Sequence, residues 1–289
     1  MEIRTHEAEL ATEELIQLAA GLDDLPIYAM AVRACDRSYE GHVPNDACDR
    51  ISLAKWAAMD ADNAAPWLEM AAAAHARSDR AAEIEAVSQA TQAHTINFYS
   101  DSILPYASSG MPQETTDLER AAFSYGLIGN RGGDGQAHWF MNSYCTAEAL
   151  QQDSIRQQCE ALAELLADHG RNTFDLSEAV GLGTHLGWAS ERTNAMNQEI
   201  LATFRVETDS GKNPWSCENV RALNEFADIQ GRMGELAAAR AAIQKSGKTI
   251  AQLAQEQIDS VRRTAEDECS RLGGTLRLFD GGGSVCIGK

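Results

Sequence analysis

The chain has few basic residues, few aromatics and no long apolar run. Its 24 Lys and Arg stand against 43 Asp and Glu, a formal net charge of -19, so it repels phosphate backbones and anionic lipid surfaces. Nucleic-acid binding is not expected. No uninterrupted apolar stretch approaches the ~20 residues of a membrane-crossing helix, and no membrane insertion is expected either. Aromatic residues are 6% of the chain although hydrophobic residues are 44%. Alanine dominates that hydrophobic share, which suits closely packed helices and gives a sheet little to pack. An all-α fold is the expectation. The opening MEIRTHEAELATEELIQLAAG lacks the basic start and apolar core of a secretory signal, which implies a cytoplasmic chain or one whose signal has been removed.

Also absent is any Cys-x2-Cys pair or helical i, i+4 histidine pair, so neither a metal nor another cofactor is expected. The seven cysteines fall differently. Cys35 and Cys48, Cys145 and Cys159, and Cys269 and Cys286 form three local pairs with 12 to 16 intervening residues, leaving Cys217 over. Each pair would join two consecutive elements, and each bridge would stabilise by roughly 3 kcal/mol through loop entropy. Six small buried thiols in a reducing cytosol are the other reading. Disulfides are the expectation adopted, and with them a periplasmic or secreted location. Cys217 is expected to be a buried structural thiol, because only Glu218 stands near it to activate it.

Helices are expected over nearly everything before residue 273, including Ile27–Cys35, Asn45–Met59, Ala64–Arg77, and a run from Ser78/Asp79 to about His94. Others span 154–169, capped by Asp153 or Ser154, then 216–231, 235–245 and about Thr249–Leu272. Short turns between short helices predict antiparallel neighbours. A closing β-hairpin is expected in TLRLFDGGGSVCIG. The chain divides into N-terminal hairpins (1–108), an irregular helical middle (109–208) and a C-terminal part (209–289), which can also be one continuous domain.

The stretch Asp60–Ala90 carries Trp67, Met70 and Ala71, a Ser78-Asp79 turn, then Val87 and Ala90 at helical spacing. It resembles the tetratricopeptide (TPR) repeat, two antiparallel helices per unit. It departs from that pattern at Ala61, where proline is usual, and at Glu83, where alanine is usual. A second stretch, with Phe226, Ala227, Gly234-Glu235, Ala239 and Ile243, is similar. The resemblance implies an array of helical hairpins, a TPR-like α-α superhelix whose concave surface holds a protein or peptide partner. Trp67 and its alanines would then be packing.

Phosphate and dinucleotide chemistry find no support. KSGKT at 245–249 has Ala242 in place of the leading P-loop glycine and a helix before it. GLGTHLGW at 181–188 lacks the third glycine, so its glycines are expected to allow close packing and His185 to be a half-buried histidine. The densest aromatic cluster is in the middle of the chain. Tyr99, Tyr106, Tyr125, His138, Trp139 and Tyr144 are the candidate partner-binding residues, with aromatic core as the competing reading. A non-enzymatic protein- or peptide-binding protein of the cell envelope is the expected function. The alternatives are an envelope hydrolase with its site around Tyr125–Tyr144, and a toxin-neutralising or effector-like protein whose acidity suits a basic partner. Neither the partner nor the assembly state is legible in the sequence.

Overall fold

The computed structural model describes residues 2–35, 46–129, 135–208, 215–272, 274–278 and 284–288. The turns expected around Gly41/Pro44, at 130–134, in DSGKNP and in DGGG lie outside the described residues. Helices dominate the rest. They are α1 (Glu2–Gly21), α2 (Leu25–Ala34), α3 (Leu53–Met59), α4 (Ala64–Ala76), α5 (Arg80–Ala90), α6 (Ile103–Ser109) and α7 (Asp117–Gly129). After these come α8 (Gly135–Tyr144), α9 (Asp153–His169), α10 (Thr173–Leu186), α11 (Ser190–Thr208), α12 (Cys217–Met233), α13 (Glu235–Ser246) and α14 (Ile250–Arg271). At the end β1 (Gly274–Leu278) pairs antiparallel with β2 (Ser284–Gly288), Leu276 opposite Cys286. Among the described residues no helix is long and apolar enough to cross a membrane.

Small side chains set the packing. Helix α4 buries Ala64, Ala65, Ala71, Ala72 and Ala74, and α5 meets it with Ala86, Val87 and Ala90, so the two lie close together as a hairpin. Trp67 is half-buried against this core, its indole N–H donating to the Ala61 carbonyl at 3.3 Å. Helix α4 also packs on α3 and α8, α9 on α10, α10 on α11, and α12 on α7 and α13. One apolar cluster runs from Ile16 through Trp56, Phe140, Leu162 and Leu182 to Leu236. A smaller one joins α11, α13 and α14 through Ala202, Ile243 and Leu253.

Glu83 is a carboxylate among the small buried residues of α5, and its contacts account for it. It is buried, pairs with Arg80, and lies 3.3 Å from His75 Nδ1 on α4. His75 sets its ring edge on Phe140 of α8 at 5.6 Å, and Arg80 lies over Tyr144 at 5.4 Å. The buried carboxylate thus holds the two side chains, His75 and Arg80, that pack the hairpin onto α8. Burying it is tolerable because it is paired.

Asn63 does similar work at the start of α4. Its Oδ1 caps the helix through Ala65 N at 3.1 Å and accepts from Asn97 N at 2.8 Å. Its Nδ2 donates to Asn97 O at 2.8 Å and to Asp60 Oδ2 at 2.7 Å. The side-chain amide imitates a strand and straps the extended segment after α5 across the hairpin.

Boundaries differ from expectation at α3, at α9 and at α5, which ends at Ala90 and not at about His94. The single helix expected over Asn45–Met59 is a 3-10 turn at Asp46–Arg50 followed by α3. Ser52 is extended and caps α3 by accepting from Lys55 N, while its own N–H donates to the buried Tyr28 hydroxyl at 3.1 Å. At α9 neither Asp153 nor Ser154 is the cap; Gln152 holds that position without a side-chain bond.

The six expected cysteines are paired. Cys35–Cys48 ties the end of α2 to the 3-10 turn, Cys145–Cys159 ties the end of α8 to α9, and Cys269–Cys286 ties α14 to β2. Cys217 is exposed, not buried. It is the first residue of α12, capped by Ser216, and a first-turn position has no preceding turn to cover it.

Two outcomes follow. Thiol titration without reductant should give one reactive thiol per chain, both native and in denaturant, and lost in Cys217→Ser; three or more in denaturant would contradict the pairing. Asn63→Ala should cost about 3 kcal/mol in urea unfolding, from the lost cap and two stranded peptide groups. A loss under 1 kcal/mol would mean the strap is held elsewhere.

Candidate functional site

The six aromatic-cluster residues do not converge on one surface. Tyr144 is core, packed on Phe140 at 5.4 Å with its hydroxyl donating to Gln158 Oε1 at 2.6 Å. Tyr99 is half-buried and left-handed at φ 59, its ring 6.5 Å from Trp56. Its hydroxyl donates to Asp60 Oδ2 at 3.0 Å, and burial together with the Asp60 charge holds that hydroxyl well above the usual tyrosine range. Tyr106 is at the rim, its hydroxyl 2.8 Å from both oxygens of Asp24. Burial and then that carboxylate push it up to about 12. Tyr125 is exposed and meets Trp215 edge-on at 6.3 Å. His138 is buried, with its ring 5.2 Å from Phe98. Trp139 stands 67% exposed.

His138 and Trp139 belong to a place where polar, ionisable and exposed aromatic groups meet across two helices. His138 Nε2 lies 3.0 Å from Asp175 Oδ1. One turn further along both helices, Asn142 Nδ2 donates to Glu178 Oε2 at 2.8 Å. Because both partners advance together, α8 and α10 run parallel at this contact. With about 100° between successive residues, Trp139 and Phe174 then project from the same side of the pair. Each is 67% exposed, which agrees with that placement. The Asn142–Glu178 pair lies on that same side, and the His138–Asp175 pair lies deeper.

Asp175 is 1% exposed and has structural duties. Its Oδ2 accepts from Arg171 N at 2.7 Å and Asn172 N at 3.3 Å, while Asn172 Oδ1 accepts from Asp175 N at 2.9 Å. This capping box starts α10. Glu178 differs from it. It is 9% exposed, its Oε1 has no hydrogen-bond partner among the described residues, and that atom is closed to solvent. Burial pushes its carboxyl above the usual range, with the Asp175 charge adding to this; the His138 charge and the Asn142 hydrogen bond oppose it. Among the described residues no three His, Cys, Asp or Glu side chains form a metal-binding group.

Asn142, Phe174, Asp175 and Glu178 were not candidates in the sequence. One signal was available: Phe174 is out of phase with the buried Leu176, Ala179 and Leu182 of its own helix, as Trp139 is with Ala137, Phe140, Met141 and Tyr144. The flanking glycine motif is divided. A Cβ on Gly183 would meet the Trp188 ring at 2.2 Å, so close packing does require glycine there, whereas Gly181 has open space around it. His185 is exposed, not half-buried.

The Glu178 carboxyl gives a pH test. Because its folded pKa is raised, folding favours the protonated form. That contribution is present at acid pH and lost as pH rises from the ordinary carboxylate range through the raised value. Glu178→Gln removes the titration, so its stability relative to wild type should climb as pH rises from the ordinary carboxylate range through the raised value. A flat difference in chemical unfolding over that range would contradict the burial argument. Comparison of the chain with protein families, with curated proteins and with solved structures finds no match, so the reading of this face rests on its own residues.

Proposed function

We propose that the protein is a non-enzymatic interaction protein of an oxidising, extracytoplasmic compartment, and that it holds a protein or peptide partner on the α8–α10 face. The observation that carries this reading is the pair of two-thirds exposed rings, Trp139 and Phe174, on one side of two parallel helices. Exposing two large aromatics together is costly in water, and such residues recur as anchors at protein interfaces. The three disulfides support the compartment. The helical hairpins, and the resemblance of Asp60–Ala90 to TPR units, point to a partner-binding architecture.

A hydrolase is the second reading, favoured by the His138–Asp175–Glu178 cluster. It is the weaker of the two: His138 is 7% exposed, and Asp175 spends both oxygens on His138 and the α10 cap. A general base needs to reach a substrate proton.

Placing a photo-crosslinking amino acid at position 139 or 174 should trap a discrete partner from envelope extract, whereas the exposed position 261 should not. The purified partner should lose tenfold or more in affinity to Trp139→Ala and to Phe174→Ala, about 1.4 kcal/mol or more each. Crosslinking equal at all three positions, with turnover of a peptide or cell-wall substrate, would favour the hydrolase.

A further inference from the structure

The partner's chemistry can be taken one step further, on the reading that α8–α10 is the binding face. We propose that Glu178 receives the ammonium group of a lysine on the partner, the aliphatic stem of that lysine lying between Trp139 and Phe174.

The unmet oxygen is the first ground. Glu178 Oε2 is occupied by the Asn142 amide, but Oε1 is buried without a donor. A buried acceptor left open is expensive, and one kept in a folded protein calls for an explanation. The groups that act on this carboxyl are His138, Asn142 and Asp175; no lysine or arginine is among them. A cation from outside would supply both the donor and the charge.

The second ground is the use of aromatic faces elsewhere in the molecule. Arg33 lies over Phe98 at 5.8 Å, Lys55 over Tyr28 at 4.9 Å, Arg80 over Tyr144 at 5.4 Å and Arg192 over Trp188 at 3.7 Å. Trp139 and Phe174 have neither a cationic nor an aromatic partner among the described residues, and they are the most exposed of the described aromatic residues. In a chain of net charge -19, a cation over those faces comes from a partner, and the long-range field favours its approach.

The choice of lysine follows from there being one open oxygen. A guanidinium binds a carboxylate best through two parallel bonds, and here one oxygen is already taken. An ammonium needs a single acceptor, and its four-carbon stem packs on apolar surface. Asn142 keeps the other oxygen occupied. Its side chain is at the surface, with Nδ2 bonded to Glu178 Oε2 at 2.8 Å and to the His138 carbonyl at 3.3 Å, so the ammonium takes Oε1 alone.

The test uses the full chain and two fluorescein-labelled peptides, Ala-Leu-Lys-Leu-Ala and the same sequence with norleucine for lysine, followed by anisotropy. Wild type should bind the lysine peptide at least tenfold more tightly. Glu178→Gln should bring the lysine peptide to the norleucine level and leave the norleucine peptide unchanged, while Asn142→Ala should bind the lysine peptide at least as well as wild type. Equal affinity of wild type for the two peptides, no binding of either, or an unaffected Glu178→Gln would overturn the proposal. Spermidine binding as tightly as the lysine peptide would overturn its assignment to a protein segment. If the partner trapped through position 139 binds wild type and Glu178→Gln alike, this inference falls and the binding face stands. If Trp139→Ala leaves that binding unchanged too, both fall.

Discussion

One carboxylate at the entrance to α10 sets the positions of much of the molecule. Asp175 accepts from two backbone amides and faces an imidazole, so it starts its own helix and docks α8 onto it. The corner around it is crowded. A Cβ on Gly170 would meet the Asp175 Cβ at 2.7 Å and the Leu166 carbonyl at 2.4 Å, so glycine alone lets α9 turn so sharply into α10. The next contacts reach the C-terminal part of the chain. Arg171 O accepts from Leu236 N at 3.0 Å, and Thr173 Oγ1 donates to the buried Glu235 at 2.8 Å. A substitution at this corner would disturb three helix junctions together. The exposed face between α8 and α10 exists because this corner fixes their parallel register.

The helical character was legible because alanine content, caps and short turns all pointed the same way. The disulfide pairs were legible from spacing, because each joins elements adjacent in the chain. The break between the helices expected over 235–245 and from about Thr249 also read correctly: Gly247 is left-handed at φ 69 and ends α13, and Thr249 opens α14 with a capping box to Gln252. What failed to read were places where a distant partner decides. The break before α3 depends on Tyr28, more than twenty residues earlier, taking the Ser52 amide. The end of α5 at Ala90, short of the expected His94, depends on Asp62 and Asn63 pulling the following segment into an extended strap. Neither choice is encoded in the local stretch.

The candidate site shows the same division. Counting aromatics along the chain gathered residues that folding then sent to separate places, some into the core and some to distant surfaces. Phase was the better guide. An aromatic that falls on the wrong side of its own helix has no packing role there, and Trp139 and Phe174 both do so. Their polar neighbours stayed illegible because Asn142 and Glu178 are more than thirty residues apart, and only the parallel register of α8 and α10 joins them.

The arrangement of the cysteines has a bearing on how the chain matures. The first two bridges link each thiol to the next one along the sequence, so a chain oxidised progressively from its beginning would make them without error. Cys217 interrupts that order. It emerges before Cys269, and the separation between those two is about three times that of the native partner, a handicap of only about 1 kcal/mol in loop entropy. The final third is therefore where mispairing concentrates, and where correct oxidation depends on α14 having folded first or on a disulfide isomerase.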